Sequence, residues 1–373
     1  MPTISSLRII GSGPVALAFA LFARRQGFAA DRILLERFDQ PPAAALAGRQ
    51  LAMSLGSWQL LSRIAAAPRA APIEQVDVCV LGHPGRTHIT AREMKAQALG
   101  FVLRYSDLLG ALQHGAQQAG LEGRPAATAA SGTSTSTGQA ASEAPGEVVV
   151  HAEGDTGQDA SVREFGQSAL LAEVAVEFEH GTTAYECFTA HGPLALLPLP
   201  EPRRYSLVWC APPQESDRRA ALAPEALAAE LQDAFGWALG RLAIVSPCVV
   251  APMIRRARRQ LVEGSAVWIG NAAQALHPVG GQGLNLGLRD AFLLAAALGE
   301  ADARGAGPLE ALADYRQRRR VDRGGTIALT DTLARGFGLA PLRPLQSIAL
   351  SALDLAPAAR AAIARQFMFG LRG

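Results

Sequence analysis

Hydrophobic and polar positions change period several times along the chain, and the changes predict its elements. Leu7 to Ile10 is a short apolar run fit for a buried strand, followed by an apolar helical stretch ending at Gly27. Ile33-Leu34-Leu35 resumes as a second strand that closes on Glu36. Together they make a βαβ unit of about 30 residues. Further on, period-two alternation predicts strands at Val76 to Leu81, Val174 to Phe178 and Tyr205 to Cys210, suited to an antiparallel sheet. Ala266 to Ile269 reads as one more strand, ahead of a glycine-rich turn and a long apolar helix. Near the end, Leu345, Ile348, Ala349, Ala352 and Leu353 recur at helical spacing, and Ile363 and Phe367 repeat the four-residue step after Pro357. Met368, Phe369 and Leu371 follow, where burial is hard to arrange. Residues 122 to 147, rich in Ala, Gly, Ser, Thr and Pro, carry too few large apolar groups to order themselves well and predict a loose excursion.

Composition narrows the class. A chain of 373 residues with 49% hydrophobic and 18% charged residues supports two intimately built domains and excludes general disorder. The net charge of +2 gives no excess to attract a polyanion, so nucleic acid is not an expected partner. Cys79, Cys187, Cys210 and Cys248 show no CxxC spacing, which predicts neither a disulfide framework nor a zinc site and suits a reducing cytoplasm. No apolar run of about 18 residues is present, and the N-terminal run is too short for a secretory signal. The arginine clusters 255–259 and 318–320 are most simply solvated faces, with phosphate or lipid-headgroup contact as the alternative.

The first chemistry lies at Gly11-Ser12-Gly13-Pro14-Val15-Ala16. Gly11 suits the tight turn after the strand, and Gly13 lets backbone approach a pyrophosphate held at a helix N-terminus, where free N–H groups favour anions. Glu36 is placed to accept hydrogen bonds from a ribose diol. A glycine-rich turn in some unrelated α/β protein is the bland alternative; the strand before, the helix after and the acid at the second strand's end favour dinucleotide binding. FAD and NAD share the ADP half that this motif reads. The second chemistry lies at Gly270-Asn271 and at Pro278-Val279-Gly280-Gly281-Gln282-Gly283-Leu284-Asn285. Glycines crowded ahead of a helix predict backbone pressed against a ligand, with positive potential beside the pyrimidine edge of a flavin.

These residues resemble the class A flavoprotein aromatic hydroxylases, typified by p-hydroxybenzoate hydroxylase, which pair an N-terminal GxGxxG with a late Gly-Asp and a Pro-x-Gly-x-Gly-x-Asn loop. Gly270-Asn271-Ala272-Ala273-Gln274 and the run from His277 to Asp290 are similar, more narrowly, to the ubiquinone-biosynthesis branch that includes 2-polyprenyl-6-methoxyphenol hydroxylases. Phe188 to Pro198, Tyr315 to Asp322 and Thr330-Asp331 agree. The resemblance implies an α/β fold: a Rossmann-like FAD-binding domain (1–72, 94–166 and 251–325), an antiparallel-sheet substrate domain (73–93 and 167–250) and a C-terminal helical tail (326–373). It implies FAD held by Gly11, Gly13, Pro14, Glu36, Arg37, Arg49, Arg104, Gly270, Asn271, Pro278, Gly281, Gln282, Gly283, Leu284 and Asn285. NAD(P)H would act as transient reductant, O2 as co-substrate and a polyprenyl phenol as substrate, with His191 and His277 as candidate bases. The tail itself either packs on its own domain or lays the last helix on the bilayer as a peripheral membrane contact, with Phe and Leu in the acyl boundary and Arg360, Arg365 and Arg372 at the headgroups; quinone-pathway partner proteins are a further implication. Two rivals stand beside this reading: a flavin-holding subunit without turnover, and an NAD(P)-dependent dehydrogenase. One motif departs from the family: its midway Asp-Gly is here Glu153-Gly154, with Ser161 and Arg163 following.

Overall fold

The computed structural model describes residues 3–37, 49–125, 144–154, 156–157, 159–276, 281–336 and 343–370. Strand β1 (Ser6–Ile10) leads into helix α1 (Pro14–Arg25) and β2 (Ile33–Arg37). Then come β3 (Gln50–Ser54), α2 (Leu55–Leu61), β4 (Ala70–Ile73), β5 (Gln75–Val80), β6 (Arg86–Thr90), β7 (Gly100–Arg104) and α3 (Tyr105–Gln118). β8 (Gly123–Pro125), β9 (Glu147–His151) and the long β10 (Ala160–Val176) follow, with β11 (Thr183–Phe188), β12 (Pro193–Pro198) and β13 (Arg204–Ala211). Two helices, α4 (Pro213–Ala220) and α5 (Pro224–Phe235), precede β14 (Leu242–Ile244), β15 (Val249–Arg258), β16 (Val262–Glu263), β17 (Ala266–Trp268) and β18 (Gln274–Ala275). The chain closes on α6 (Gln282–Ala303), α7 (Pro308–Gly336), α8 (Arg343–Asp354) and α9 (Pro357–Phe369).

The first sheet runs β16-β17-β9-β1-β2-β8, parallel from β17 to β8. Alternate residues of β1 are fully buried because Leu7 and Ile9 point to the face that α1 and α6 cover. Proline at the first turn starts α1, whose Leu17, Phe19 and Phe22 pack against Val148, Val150, Leu294 and Leu298. Glycine lets α1 and α6 approach closely: a Cβ on Gly287 would lie 2.8 Å from Val15 Cγ2, and one on Gly299 would lie 2.7 Å from Gln26 Cβ. A small antiparallel sheet, β3-β7-β4, joins this half to the second large sheet.

The second sheet runs β18-β15-β10-β13-β12-β11-β5-β6, with β14 on β10. It is antiparallel except at β5 and β11, which pair in parallel. One face, with Leu170, Leu196, Leu207 and Trp209, is covered by Leu227 and Leu231 of α5. The strands predicted at 76–81 and 205–210 match β5 and β13, whereas the one expected at 174–178 is the end of the seventeen-residue β10. Most of the stretch expected to be loose, 126–143, lies outside the described residues. Cys79 and Cys187, Cα partners across β5 and β11, are joined as a disulfide, which corrects the expectation from their spacing. Sequence spacing of 108 residues carries no sign of a pairing that the sheet register creates.

Two charge expectations are also corrected. Arg319 is fully buried against Asp290 and Asp322, and Arg258 is buried over the Trp268 ring, 3.9 Å from its centroid. Neither cluster is simply a solvated face.

The tail divides into two unlike helices. α9 packs inward: Met368 is buried with Leu55, Ala91 and Leu99, so the expectation that these bulky terminal residues would be hard to bury does not hold for Met368. α8 lies on the second sheet through Leu350, which meets Val80 and Phe188, and through Ser347, whose Oγ accepts a hydrogen bond from the Gly85 N–H at 2.8 Å. Its outer side leaves Leu345, Ile348 and the following Leu355 63%, 65% and 85% exposed. Met368→Ala is expected to destabilise the protein by about 2–5 kcal/mol, the range for emptying a buried apolar site. Urea unfolding followed by circular dichroism measures it; an unchanged midpoint would mean that α9 does not dock as described.

Candidate functional site

Two backbone cradles meet at the top of α1. In the first, Gly11 has φ +134°, and a Cβ there would lie 2.7 Å from the Ala152 carbonyl, so the crossing of β1 and the end of β9 admits only glycine. Gly11 N–H donates to the Glu36 carbonyl at 3.2 Å and Ala152 N–H to that of Ile10 at 2.8 Å, which fixes the turn. Gly13 is the N-cap of α1 and supplies no side-chain cap; Pro14 occupies the first helical position. A Cβ on Gly13 would meet only the Tyr105 hydroxyl, at 3.8 Å. The protein itself does not demand glycine there, and an incoming ligand would.

Tyr105 starts α3, and its N–H donates to the Arg49 carbonyl at 2.8 Å. Burial raises the Tyr105 phenol, and the nearby Arg49 cation opposes the rise. Arg49, exposed, is thus gathered at the mouth of the first cradle. Glu36, at the end of β2, keeps a half-open carboxylate 3.8 Å from Arg8 Nη1. Arg104 points elsewhere: its guanidinium reaches Glu173 at 3.3 Å and Glu201 at 4.0 Å, at the seam between β7 and the second sheet. The Arg37 side chain lies outside the described residues.

The second cradle is held by a buried carboxylate. Asp290 of α6 takes Arg319 Nε at 2.6 Å on one oxygen; the other accepts the Gly270 N–H at 3.0 Å and Gln274 Nε2 at 2.7 Å. Gly270 has φ +60°, and a Cβ there would press on Val15, 3.0 Å from its Cγ1. Val15 therefore touches both Gly270 and Gly287, and the two cradles share one wall. Asn271 stands exposed beside it. Gly281, φ +61°, caps α6 without a side-chain bond, and a Cβ on Gly283 would meet nothing within 4 Å. Asn285 is buried and turned to structural use: Oδ1 accepts the Ser54 N–H at 2.9 Å, and Nδ2 donates to the carbonyls of Gly281 at 2.8 Å and Ala52 at 3.2 Å. Gln282 is buried at the first turn and Leu284 packs on the core. His277 and Pro278 lie outside the described residues.

The donor set fits FAD. Helix α1's open first turn, with Gly13 and Arg49, suits a pyrophosphate, and Glu36 suits a ribose diol. The uncapped start of α6 and the space at Gly283 suit a flavin ring's pyrimidine edge, with Asn271 near the ribityl chain. Of the remaining candidates, Glu153 binds His151 Nδ1 at 3.0 Å, Arg163 pairs with Asp331 at 2.7 Å, and His191 is an exposed residue in the β11–β12 turn. Reading the sequence missed Tyr105, Val15 and the Asp290–Arg319 pair; an Asp and an Arg 29 positions apart on different helices give no local signal.

Comparison with known proteins agrees with this geometry. Residues 130–324, more than half the chain, match a family described as FAD binding domain. The chain is 36% identical over 194 residues to the ubiquinone hydroxylase UbiL of Rhodospirillum rubrum, covering 51% of this chain and 45% of that one. It is 32% identical over 199 residues to the 3-demethoxyubiquinol 3-hydroxylase of Escherichia coli, covering 52% and 50%. The chain spans about half the length of the curated relatives it matches. Its fold is that of p-nitrophenol 4-monooxygenase PnpA from Pseudomonas putida (TM-score 0.71, 16% identity, 100% of both chains). The FAD complex of Klebsiella pneumoniae HpxO carrying R204Q is also similar (TM-score 0.69, 14% identity, 99% and 100%).

Two substitutions test the site. Gly13→Val fills the space at the α1 terminus and is expected to leave the purified protein without flavin by absorbance; full flavin content would overturn the assignment. Asp290→Ala removes one of the two carboxylates on buried Arg319 and leaves the Gly270 N–H and the Gln274 amide without their acceptor, and is expected to cost about 3–5 kcal/mol in denaturant unfolding.

Proposed function

This chain belongs to the FAD binding domain family, and from that premise we propose that it is an FAD-dependent monooxygenase. Its substrate on this reading is a polyprenylated phenol of ubiquinone biosynthesis, hydroxylated on the ring at the expense of NAD(P)H and O2. The observation that carries the reading is the convergence of two cradles opposite an apolar sheet face. Gln50 of β3 donates to Glu173 at 2.7 Å and accepts from Ser206 at 3.4 Å, so the face bearing Glu173 and Ser206 looks toward the flavin half. Leu171, Ala169, Val208 and Ala195 share that face by strand register. An NAD(P)-dependent dehydrogenase would leave the second cradle without an occupant.

Bound FAD supplies hydride acceptance and oxygen activation. The protein's own part is placement and exclusion of water. The α1 terminus and Arg49 hold the pyrophosphate, and Glu36 the ribose. Asp290, through Gly270 and Gln274, keeps the second cradle in shape, while Asn285 ties the start of α6 to β3 next to the sheet face. NAD(P)H has no cradle of its own among the described residues and binds transiently. On this reading the flavin-holding segments are 1–72, 94–166 and 251–325, and the substrate sheet is 73–93 with 167–250.

A polyprenyl substrate resides in lipid, and α8 offers it a path. Leu350 on its inner side roofs the substrate face at Val80 and Phe188, and Leu345, Ile348 and Leu355 project outward. On this reading the membrane-facing element is α8, and one helix both touches lipid and covers the pocket.

The test is product formation: holoenzyme given a prenylphenol is expected to oxidise NAD(P)H faster and to release a product one oxygen heavier by mass spectrometry. Flavin reduction without any hydroxylated product would favour a flavin-holding subunit. Leu345→Ser with Ile348→Ser is expected to lower liposome association and long-chain turnover while sparing flavin content and short-chain turnover; equal loss of both activities would argue against the lipid route.

A further inference from the structure

Glu186 is an acid without a partner among the described residues. It lies on β11 opposite Ala195 of β12 and Val78 of β5; Ala195 pairs in turn with Val208, and Val208 with Leu171. Residues paired in this way project to the same side, so Leu171, Val208, Ala195, Glu186 and Val78 form one row. The adjacent row holds Glu173 and Ser206, which Gln50 touches from the flavin half. Glu186 therefore shares the face proposed to hold the aromatic ring.

The other four of these residues are apolar, Thr87 of β6, next beyond Val78, donates to Asp354 Oδ1 at 3.1 Å, and no described residue forms a hydrogen bond or ion pair with the Glu186 carboxyl. The face is roofed nearby by Leu350 of α8 over Phe188 and by Ile73 and Val102 over Ala184. Cys210 of β13 is the titratable group that faces it; burial, and then the Glu186 carboxylate, raise the Cys210 thiol. Glu173, one row away, is occupied by Arg104 and Gln50, and Asp77 and His88 project from the opposite side of β5 and β6. Burial pushes the Glu186 carboxyl up to about 7. The residue nonetheless keeps intermediate exposure, as a group at the floor of a recess would. A polar group so placed without a partner is costly, and a ligand hydroxyl is the kind of partner that would relieve it.

We propose that Glu186 positions the substrate by accepting a hydrogen bond from its phenolic hydroxyl, so that ring orientation over the flavin is set from the sheet. The proposal rests on the phenol-hydroxylase reading above. It assigns the role to a residue on the sheet face, whereas His191 stands in an exposed turn.

The test compares a prenylated phenol with its methyl ether on FAD-loaded wild type, Glu186→Gln and Glu186→Leu, using ligand titrations read by flavin absorbance. Wild type is expected to favour the phenol by about tenfold or more, the worth of one hydrogen bond to a charged group. That preference should rise between about pH 6 and 8 as the carboxyl ionises. Glu186→Leu should bind both ligands alike with unchanged flavin content, and Glu186→Gln should keep a preference that no longer depends on pH. A Leu variant that still discriminates overturns the proposal. If wild type binds the ether as well as the phenol and still hydroxylates the phenol, only this proposal fails; if it binds neither, the phenol-hydroxylase reading fails and takes the proposal with it.

A second measurement needs no ligand. Raised in the native state, Glu186 contributes stability below about 4.5 that is lost as pH climbs through about 7. Glu186→Gln should remove that loss, flattening thermal stability between pH 5 and 8. An unchanged pH dependence would place the carboxyl in solvent and overturn the proposal.

Discussion

The buried carboxylate of Asp290 is the constraint on which the site depends. One side chain of α6 accepts from the Nε of a fully buried guanidinium, a glycine N–H and a glutamine amide at once. Charge buried this deeply is tolerated only when it is paired with the opposite charge. Arg319 belongs to α7, Gly270 and Gln274 to the turn after β17, and Asp290 to the helix whose N-terminus makes half the second cradle. The pair therefore sets the distance between a helix start and a turn that must both touch the same ligand. Arg323 extends the arrangement, donating to Gln274 Oε1 at 2.7 Å and to the Arg258 carbonyl at 2.8 Å.

Much of the first cradle is legible in the sequence because its cause is local. Gly11 must be glycine for a φ of +134°, Gly13 opens a helix, and Glu36 ends the neighbouring strand; all three lie within one βαβ unit. The second cradle is legible in its glycines and obscure in its support. Asn285 reads as a residue for the cofactor, and in the structure its amide is spent on Ser54, Ala52 and Gly281. Arg319 reads as one of three solvated arginines, since only tertiary packing distinguishes it from Arg318 and Arg320. Glu186 and the Cys79–Cys187 pair depend on which strands lie side by side, and periodicity within a strand carries no information about its neighbours.

The tail shows the same limit from another side. Helical spacing correctly marks an amphipathic pattern in α8, but spacing alone does not decide which face is covered. Ser347 and Leu350 turn inward while Leu345 and Ile348 remain outside, because the sheet edge at Gly85 and Val80 offers a hydrogen bond and a small apolar seat.

The order of strands in the first sheet has a consequence for the chain as it is made. β1 is flanked by β2 from its own βαβ unit and by β9, and β9 needs β17 on its far side. A ribosome adding about 5–20 residues per second takes on the order of tens of seconds to go from Ile10 to Trp268. Until His151 is made the N-terminal unit has the β1 edge open, from there to Trp268 the edge of β9 is open instead, and throughout α1 lacks α6. The nascent chain must therefore wait in a partly assembled and aggregation-exposed form, and a chaperone that shields the open edge of β1 would act during synthesis rather than after it.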